Sequence, residues 1–250
     1  MKLTTTELNF IQTVIKTAQL INITSIIIEP GKIRAMDEDQ TTILFQDKNI
    51  PSIGCGSIGI NRLAVLIPRL TLAESQDKFE VDVITTGDDP DIGFDKYDNT
   101  TDSPPMWARS LTMVGTGFKI EYRCASPQTI RAPKNRAGVI DSHVVITPEM
   151  VNMIQKGQSA MKADDVTING SKKGVSIEIA DTNGDVLDFL FSDEVIPESE
   201  NSTIEFSYTY PIKLLLPVLK TNPTGTFHLT TKGSLIFTVN GLDVYILAKG

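Results

Sequence analysis

From Thr4 to Ile21 the apolar residues Leu8, Phe10, Ile11, Val14, Ile15, Ala18 and Ile21 fall in one arc of a helical wheel. Asn9, Gln12, Thr13, Lys16 and Gln19 fall in the opposite arc, and only Leu20 breaks the division. The span therefore predicts an amphipathic helix. Shorter segments follow with strand character: Ser25–Glu29, then Lys32–Met36 after a Pro30-Gly31 turn, then Thr42–Gln46. Ile60–Glu74 reads as a second helix interrupted by Pro68, and Phe79–Thr85, Leu111–Val114 and Phe118–Arg123 read as strands.

The pattern then begins again. Leu8-Asn9-Phe10-Ile11-Gln12 returns as Val151-Asn152-Met153-Ile154-Gln155, an offset of 143 residues. The same ungapped offset sets Leu3-Thr4 on Ile146-Thr147 and Ile23-Thr24 on Val166-Thr167. The second half is expected to hold strand Val144–Ile146, helix Pro148–Ala163, and strands Asp165–Asn169, Val175–Ile179 and Asp185–Phe191. Strand Thr203–Ser207 is expected to enter a proline-containing helix, Tyr210–Thr221, before strands Thr226–Thr230, Ser234–Val239 and Asp243–Leu247. Ser126–Gly138 has two prolines and little periodicity, as a linker would. The expected division is a domain at 1–125, a linker at 126–141 and a domain at 142–250. Many short strands and few helices predict an α+β class, with antiparallel sheets and two helices in each of two similar domains.

Charge adds a direction to this plan. On the predicted helices Lys16, Arg62, Arg69, Lys156, Lys162, Lys213 and Lys220 stand against Glu7, Glu74 and Glu149, a sum of +4. The whole chain of 250 residues has a net charge of −8, which leaves −12 for everything else. Arg62 and Arg69 share a helix face, as do Lys213 and Lys220. Such a separation of sign suggests helices that face a polyanion, while the overall acidity excludes a protein that coats nucleic acid with its whole surface. No helix carries an aromatic or Asn/Gln pattern suited to reading base edges, so the contacts would go to phosphates without sequence preference.

Catalytic and metal chemistry is poorly supported. Cys55 and Cys124 form no CxxC or Cys/His ligand set and read as two reduced intracellular thiols. His143 and His228, the only histidines, neighbour no nucleophile motif. Gly54-Cys55-Gly56-Ser57-Ile58-Gly59 matches GxGxxG before a predicted helix, with Asp82 at the spacing of a ribose-binding acid. Pro51 in the preceding segment, Pro68 in the helix and the lack of strand–helix alternation argue instead for a flexible strand-to-helix turn. Asp181-Thr182-Asn183-Gly184-Asp185 places its glycine wrongly for a calcium loop and reads as a hairpin turn. The acidic stretch Gly87–Pro105, with Asp88, Asp89, Asp91, Asp95, Asp98 and Asp102, reads as a long solvated loop. No signal segment or membrane-spanning run is expected.

Several segments resemble the sliding clamps of DNA replication, in particular the trimeric clamps of T4-type bacteriophages. Gly31-Lys32-Ile33-Arg34-Ala35-Met36-Asp37 is similar to the turn and strand after the first helix of eukaryotic and archaeal clamps. Ile60-Asn61-Arg62-Leu63-Ala64-Val65-Leu66 is similar to their second helix, and Ala125-Ser126-Pro127-Gln128-Thr129-Ile130-Arg131-Ala132-Pro133-Lys134 to the T4-type linker. The resemblance implies three two-domain subunits in a head-to-tail ring that encloses duplex DNA and tethers a DNA polymerase. It implies loading by an ATP-dependent clamp loader, no enzymatic activity, no cofactor, no metal, and a place in the bacterial host cytoplasm if the chain is phage-encoded. The seven basic residues would line the hole. Met36, Cys124, Ile130, Ala132, Pro133, Leu247 and Ala248 would border a partner-peptide groove. Phe118, Ile120 and Tyr122 would pair at a subunit interface with Val186, Leu187, Phe189 and Leu190 of a neighbour. A nucleotide-dependent oxidoreductase built on the Gly54–Gly59 turn and a trimeric interaction protein that never encloses DNA remain as alternatives.

Overall fold

The computed structural model describes residues 1–76, 78–88, 106–134, 138–171, 174–191, 196–197 and 205–249. In chain order, α1 (Thr5–Leu20) is followed by β1 (Ile26–Glu29), β2 (Lys32–Met36), β3 (Thr42–Gln46) and β4 (Ile58–Ile60). Next come α2 (Leu63–Glu74), β5 (Phe79–Thr85), β6 (Ala108–Gly115), β7 (Phe118–Arg123) and β8 (Ile140–Val145). Then α3 (Pro148–Met161), β9 (Asp165–Ser171), β10 (Gly174–Ala180), β11 (Val186–Phe191) and β12 (Ile196–Pro197). The order ends with β13 (Phe206–Pro211), α4 (Ile212–Thr221), β14 (Thr226–Thr230), β15 (Leu235–Val239) and β16 (Leu242–Ile246). Beyond Asp88, the acidic stretch at 87–105 falls outside the described residues.

The sequence repeat is first of all a repeat of helix starts. Before α1, Thr4 Oγ1 accepts the Glu7 N–H at 3.2 Å, while Glu7 Oε2 accepts both the Thr4 N–H and the Thr4 hydroxyl at 2.7 Å. This reciprocal cap satisfies amides that the first turn leaves without partners. Before α3, Thr147 accepts the Met150 N–H at 3.2 Å, and Pro148 opens the helix. On α1 the apolar arc is the buried one, with Ile11, Val14, Ile15 and Ala18 in the core. The helices α2 and α4 each carry a proline at the sixth position, Pro68 and Pro217, which removes one helical hydrogen bond from each.

The capping box makes a pH prediction. The Thr4 backbone N–H, then the Thr4 hydroxyl and the Gly54 N–H, hold the Glu7 carboxyl below its ordinary range, against an opposing effect of partial burial. A depressed carboxylate stabilises the fold above its unfolded pKa of about 4.3, and that stability is lost as pH falls through the folded value. Glu7→Gln should therefore flatten the stability–pH curve in urea titrations between about pH 3 and pH 6. Thr4→Ala should lower stability by about 1 kcal/mol at neutral pH. A Glu7→Gln curve that parallels wild type through the acid range would contradict the assignment.

The chain forms two compact units. The first holds Met1–Gln19, Ile23–Met36 and Gln46–Pro133, and the second holds Leu20–Asn22, Asp37–Phe45 and Lys134–Gly250. In the first, β1 sits between β2 and β4, and a separate antiparallel sheet runs β5-β6-β7. Helix α2 packs on β6, and Gln12 of α1 donates to Glu74 of α2 at 2.6 Å. In the second unit one sheet runs β12-β8-β14-β15-β16-β3 and the other β11-β10-β9-β13. There α3 packs on β10, β11 and α4, while α4 packs on β13 and β15. The segment Asp37–Phe45 folds with the second unit because β3 pairs with β16, Leu44 lying opposite Val244. The expected α+β plan of antiparallel sheets with paired helices is the one observed.

Two helix starts differ from the sequence reading. Ile60 lies in a strand, because Ile58–Ile60 pairs antiparallel with Ile28–Ile26, and α2 begins only at Leu63. Tyr210 and Pro211 likewise belong to β13, opposite Val166 and Asp165, and α4 begins at Ile212. The buried Tyr210 hydroxyl donates to Gly233 O at 2.8 Å, which ties the strand end to a turn of the neighbouring sheet. The glycine run is consequently no strand-to-helix turn. Gly59 sits inside β4, where an added Cβ would collide with the Ala125 carbonyl. A pyrophosphate needs the N-terminus of a helix after the glycines, and here a strand follows them. The end of the expected linker is also a strand, since Ile140 and Asp141 belong to β8. Asp181–Asp185 joins β10 to β11 as a hairpin turn, with Gly184 at φ +92° and Asp181 Oδ1 accepting from Asn183 and Asp185 N–H.

Among the described residues, the β5-β6-β7 and β11-β10-β9-β13 sheets each have one outer strand covered by another segment and one without a strand partner. Leu3 N–H donates to Val81 O at 2.9 Å and Val83 N–H to Met1 O at 2.6 Å, so Met1–Leu3 run along β5. Lys249 N–H donates to Thr209 O at 2.8 Å, and its ammonium pairs with Asp165, which covers β13. Among the described residues no strand pairs with the outer side of β7 or of β11.

Candidate nucleic-acid face and subunit edges

Five lysines stand on helix surfaces with their charges uncommitted. Lys16, Lys156, Lys162, Lys213 and Lys220 are exposed, and none makes an ion pair among the described residues. On α4 the division of faces is nearly complete. Ile212, Leu214, Leu215, Leu216, Val218 and Leu219 are buried, and Lys213 and Lys220 lie on the exposed side. On α3, Lys156 shares the exposed surface with Asn152 and Ser159, while Met150, Val151 and Ile154 are buried. Lys162 ends that helix in the left-handed conformation at φ 52°.

Arg62 and Arg69 are engaged elsewhere. Arg62 Nη2 donates to Arg123 O at 3.2 Å, and Arg69 Nη1 donates to Glu121 O at 2.7 Å. Both acceptors are main-chain carbonyls of β7. The Arg62 guanidinium also lies 5.4 Å from the centroid of the Tyr122 ring. The Tyr122 hydroxyl accepts the Arg62 N–H at 3.2 Å at the start of α2, and its ring is fully buried.

Hydrogen-bond alternation identifies the bare side of each outer strand. Cys124 N–H donates to Arg109 O, so the pairs Leu111–Tyr122 and Met113–Ile120 are bonded to β6 as well. The main-chain groups of Lys119, Glu121 and Arg123 therefore point away from β6. By the same argument Asp181 N–H to Asp185 O makes Ile179–Leu187 and Ile177–Phe189 bonded pairs. Those of Val186, Asp188 and Leu190 point away from β10. Of the residues expected at a subunit interface, Phe118 and Ile120 are half-buried and Tyr122 belongs to the core. Leu187 and Phe189 are half-buried, while Val186 and Leu190 are 57% and 63% exposed. A cavity of 500 Å³ beside β11 is lined by Thr147, Glu149, Met153, Asp188, Phe189, Leu190 and Phe191.

The residues expected to border a peptide groove lie in both units. Arg34 clamps Glu29 with two hydrogen bonds of 2.7 and 2.8 Å and reaches Pro133 O at 3.4 Å. Ile130 is 8% exposed after a short 3-10 turn at Pro127–Thr129, and its side chain lies next to Gly59. Met36, Cys124, Ala132 and Pro133 are half-buried, and burial pushes the Cys124 thiol up to about 12 and Cys55 to about 11. Both thiols are protonated at neutral pH. Leu247 and Ala248 are half-buried in the second unit, with Leu247 N–H bonded to Thr41 O at 2.8 Å. Sequence reasoning missed a cleft of 520 Å³ on the second unit, formed by Gly138, Val139, Ile140, His228, Ile236, Thr238, Asp243 and Tyr245. Val139 at its margin is 74% exposed and Ile140 39%, an apolar pair after a glycine that the sequence does display.

No described helix is long and apolar enough to cross a membrane. No protein-family model and no curated protein matches the sequence. Solved structures do match. PCNA of A. fulgidus, bound to the C-terminal region of FEN-1, is 16% identical, with 96% of this chain and 95% of that chain covered at a TM-score of 0.60. Proliferating cellular nuclear antigen from Entamoeba histolytica is 12% identical, with 96% and 95% covered at 0.57. PCNA from Thermococcus kodakaraensis is 12% identical, with 96% of each chain covered at 0.55. The chain thus has the α+β fold of PCNA-type sliding clamps over nearly its whole length.

Proposed function

We propose that this chain is a DNA polymerase processivity factor of the phage type, a homotrimeric ring that encloses duplex DNA and tethers the replicative polymerase. The observation that carries the reading is the set of exposed lysines on the helices, without ion pairs among the described residues, in a chain that is otherwise strongly acidic. The bare strands β7 and β11 support head-to-tail assembly, because two different edges that join by rotation close into a ring. Lys16, Lys156, Lys162, Lys213 and Lys220 would line the hole and meet phosphates weakly. An ATP-dependent loader would place the ring, and the chain itself would hydrolyse nothing and need no cofactor. The partner peptide would dock near the linker, either against Met36 and Pro133 or in the cleft beside Val139 and Ile140.

Two measurements test this. Native mass spectrometry should give about 82 kDa, three copies of 27.4 kDa. On closed circular DNA, rings set by a loader should survive salt that strips the free protein from short linear duplex, and they should escape when the circle is cut. Equal loss from circular and linear DNA would mean that the protein does not enclose it.

A further inference from the structure

We infer that Arg62 and Arg69 are a latch on the bare edge of β7, displaced by β11 of a second copy and received there by Glu149. The inference rests on the proposed head-to-tail assembly and adds a mechanism to it. The main-chain groups of Lys119, Glu121 and Arg123 face away from β6, and two of those three carbonyls, on Glu121 and Arg123, are the acceptors that the guanidiniums fill. An incoming strand needs the same carbonyls for its own N–H groups. The arginines and a partner strand therefore compete for one set of acceptors, and the edge is masked while the chain is alone.

The destination follows from the faces of the two sheets. Helix α2 packs on β6, and α3 packs on β10 and β11. Leu187 approaches Gly157 of α3, which fixes the helix side of β11. If β7 and β11 of two copies continue one sheet with helices on a common face, α2 of one copy comes to lie beside α3 of the next. Guanidiniums lifted from β7 are then delivered to the cavity between α3 and β11. That cavity has an exposed carboxylate at Glu149 and an apolar bed of Met153 and Phe189 suited to arginine stems. On the other face β7 carries Lys119, Glu121 and Arg123, one net positive charge, and β11 carries Asp188, one negative charge. The occupant of the β7 margin is a second copy of this chain.

A double-mutant cycle on the full chain tests the exchange by sedimentation equilibrium. The variants are Arg62→Gln with Arg69→Gln, Glu149→Gln, and all three together, each checked for a native circular-dichroism spectrum. In the Glu149→Gln background only the latch remains to be removed, so replacing the arginines should tighten association. In the native background the same change also removes the link to Glu149, and the effect of the arginines should differ between backgrounds by about tenfold in dissociation constant. Equal effects in both backgrounds would overturn the link, and weaker association of the triple variant than of Glu149→Gln would overturn the latch. A wild-type chain that stays monomeric, or one whose association ignores Leu190→Pro, would instead overturn the assembly reading itself.

Discussion

A chain carrying Leu190→Pro should sediment as a folded 27.4 kDa monomer at concentrations where the native chain assembles. Leu190 is 63% exposed on the outer strand β11, and its N–H points away from β10. Proline there leaves the β10–β11 ladder intact and removes the β11 donor that would bond a carbonyl of any strand that adds on, while its ring obstructs the approach. An acceptor left unpaired in the interface costs about 1–3 kcal/mol, which raises the dissociation constant of the interface by about tenfold to a hundredfold. Glu121→Pro should do the same from the other side, because Glu121 lies on the bare side of β7. Tyr122, one residue further, is a poor choice for the experiment: it is buried and bonded to β6, so proline there would unfold the first unit. Trimers that survive both Leu190→Pro and Glu121→Pro would place the subunit interface elsewhere.

The second large effect is expected from reversing charge on the helices. Lys16→Glu, Lys156→Glu, Lys213→Glu and Lys220→Glu together should abolish salt-sensitive binding to short linear duplex. Taking one cation away from a phosphate lowers the steepness of log affinity against log salt by about 0.9. The four side chains are exposed and make no ion pair among the described residues, so stability should move by no more than about 0.5 kcal/mol per site. Loading onto circular DNA and processive synthesis should fall with the binding, while the trimer persists. A quadruple variant with undiminished loading would show that these helices do not face DNA. Arg62 and Arg69 are left out of the set because both donate to β7.

Local pattern carried much of the architecture. The apolar arc of α1 is the buried arc, and Thr4 and Thr147, 143 residues apart, are both helix caps. What could not be read locally was the fate of segments whose partners are distant. Ile60, Leu63, Leu66 and Leu70 are spaced well enough for one helix, yet Ile60 pairs with Ile26 of β1, 34 residues earlier. The same limit applies to charge. The sequence presents Arg62 and Arg69 as two more cations on a helix face, and only the fold brings β7 within their reach. The close approach of Gly59 to Ala125 and Ile130, which leaves Ile130 8% exposed, is likewise not visible in the sequence. Whether a residue faces a partner or a core is decided by tertiary contact, which periodicity alone does not encode.

Covering one outer strand in each sheet has a consequence for mixtures. With β5 lined by Met1–Leu3 and β13 by Lys249, the described residues of these two sheets leave the outer sides of β7 and β11, two edges of different sequence, without a strand partner. In the proposed head-to-tail assembly a copy with β11 disabled would still present an intact β7, so it would join a growing assembly and then end it. If three copies are needed for closure, a minority of such chain terminators spoils a majority of rings, since each spoiled ring also consumes native subunits. Defects confined to one edge would therefore behave as poisons when co-expressed with the native chain, whereas a copy disabled at both edges would be inert.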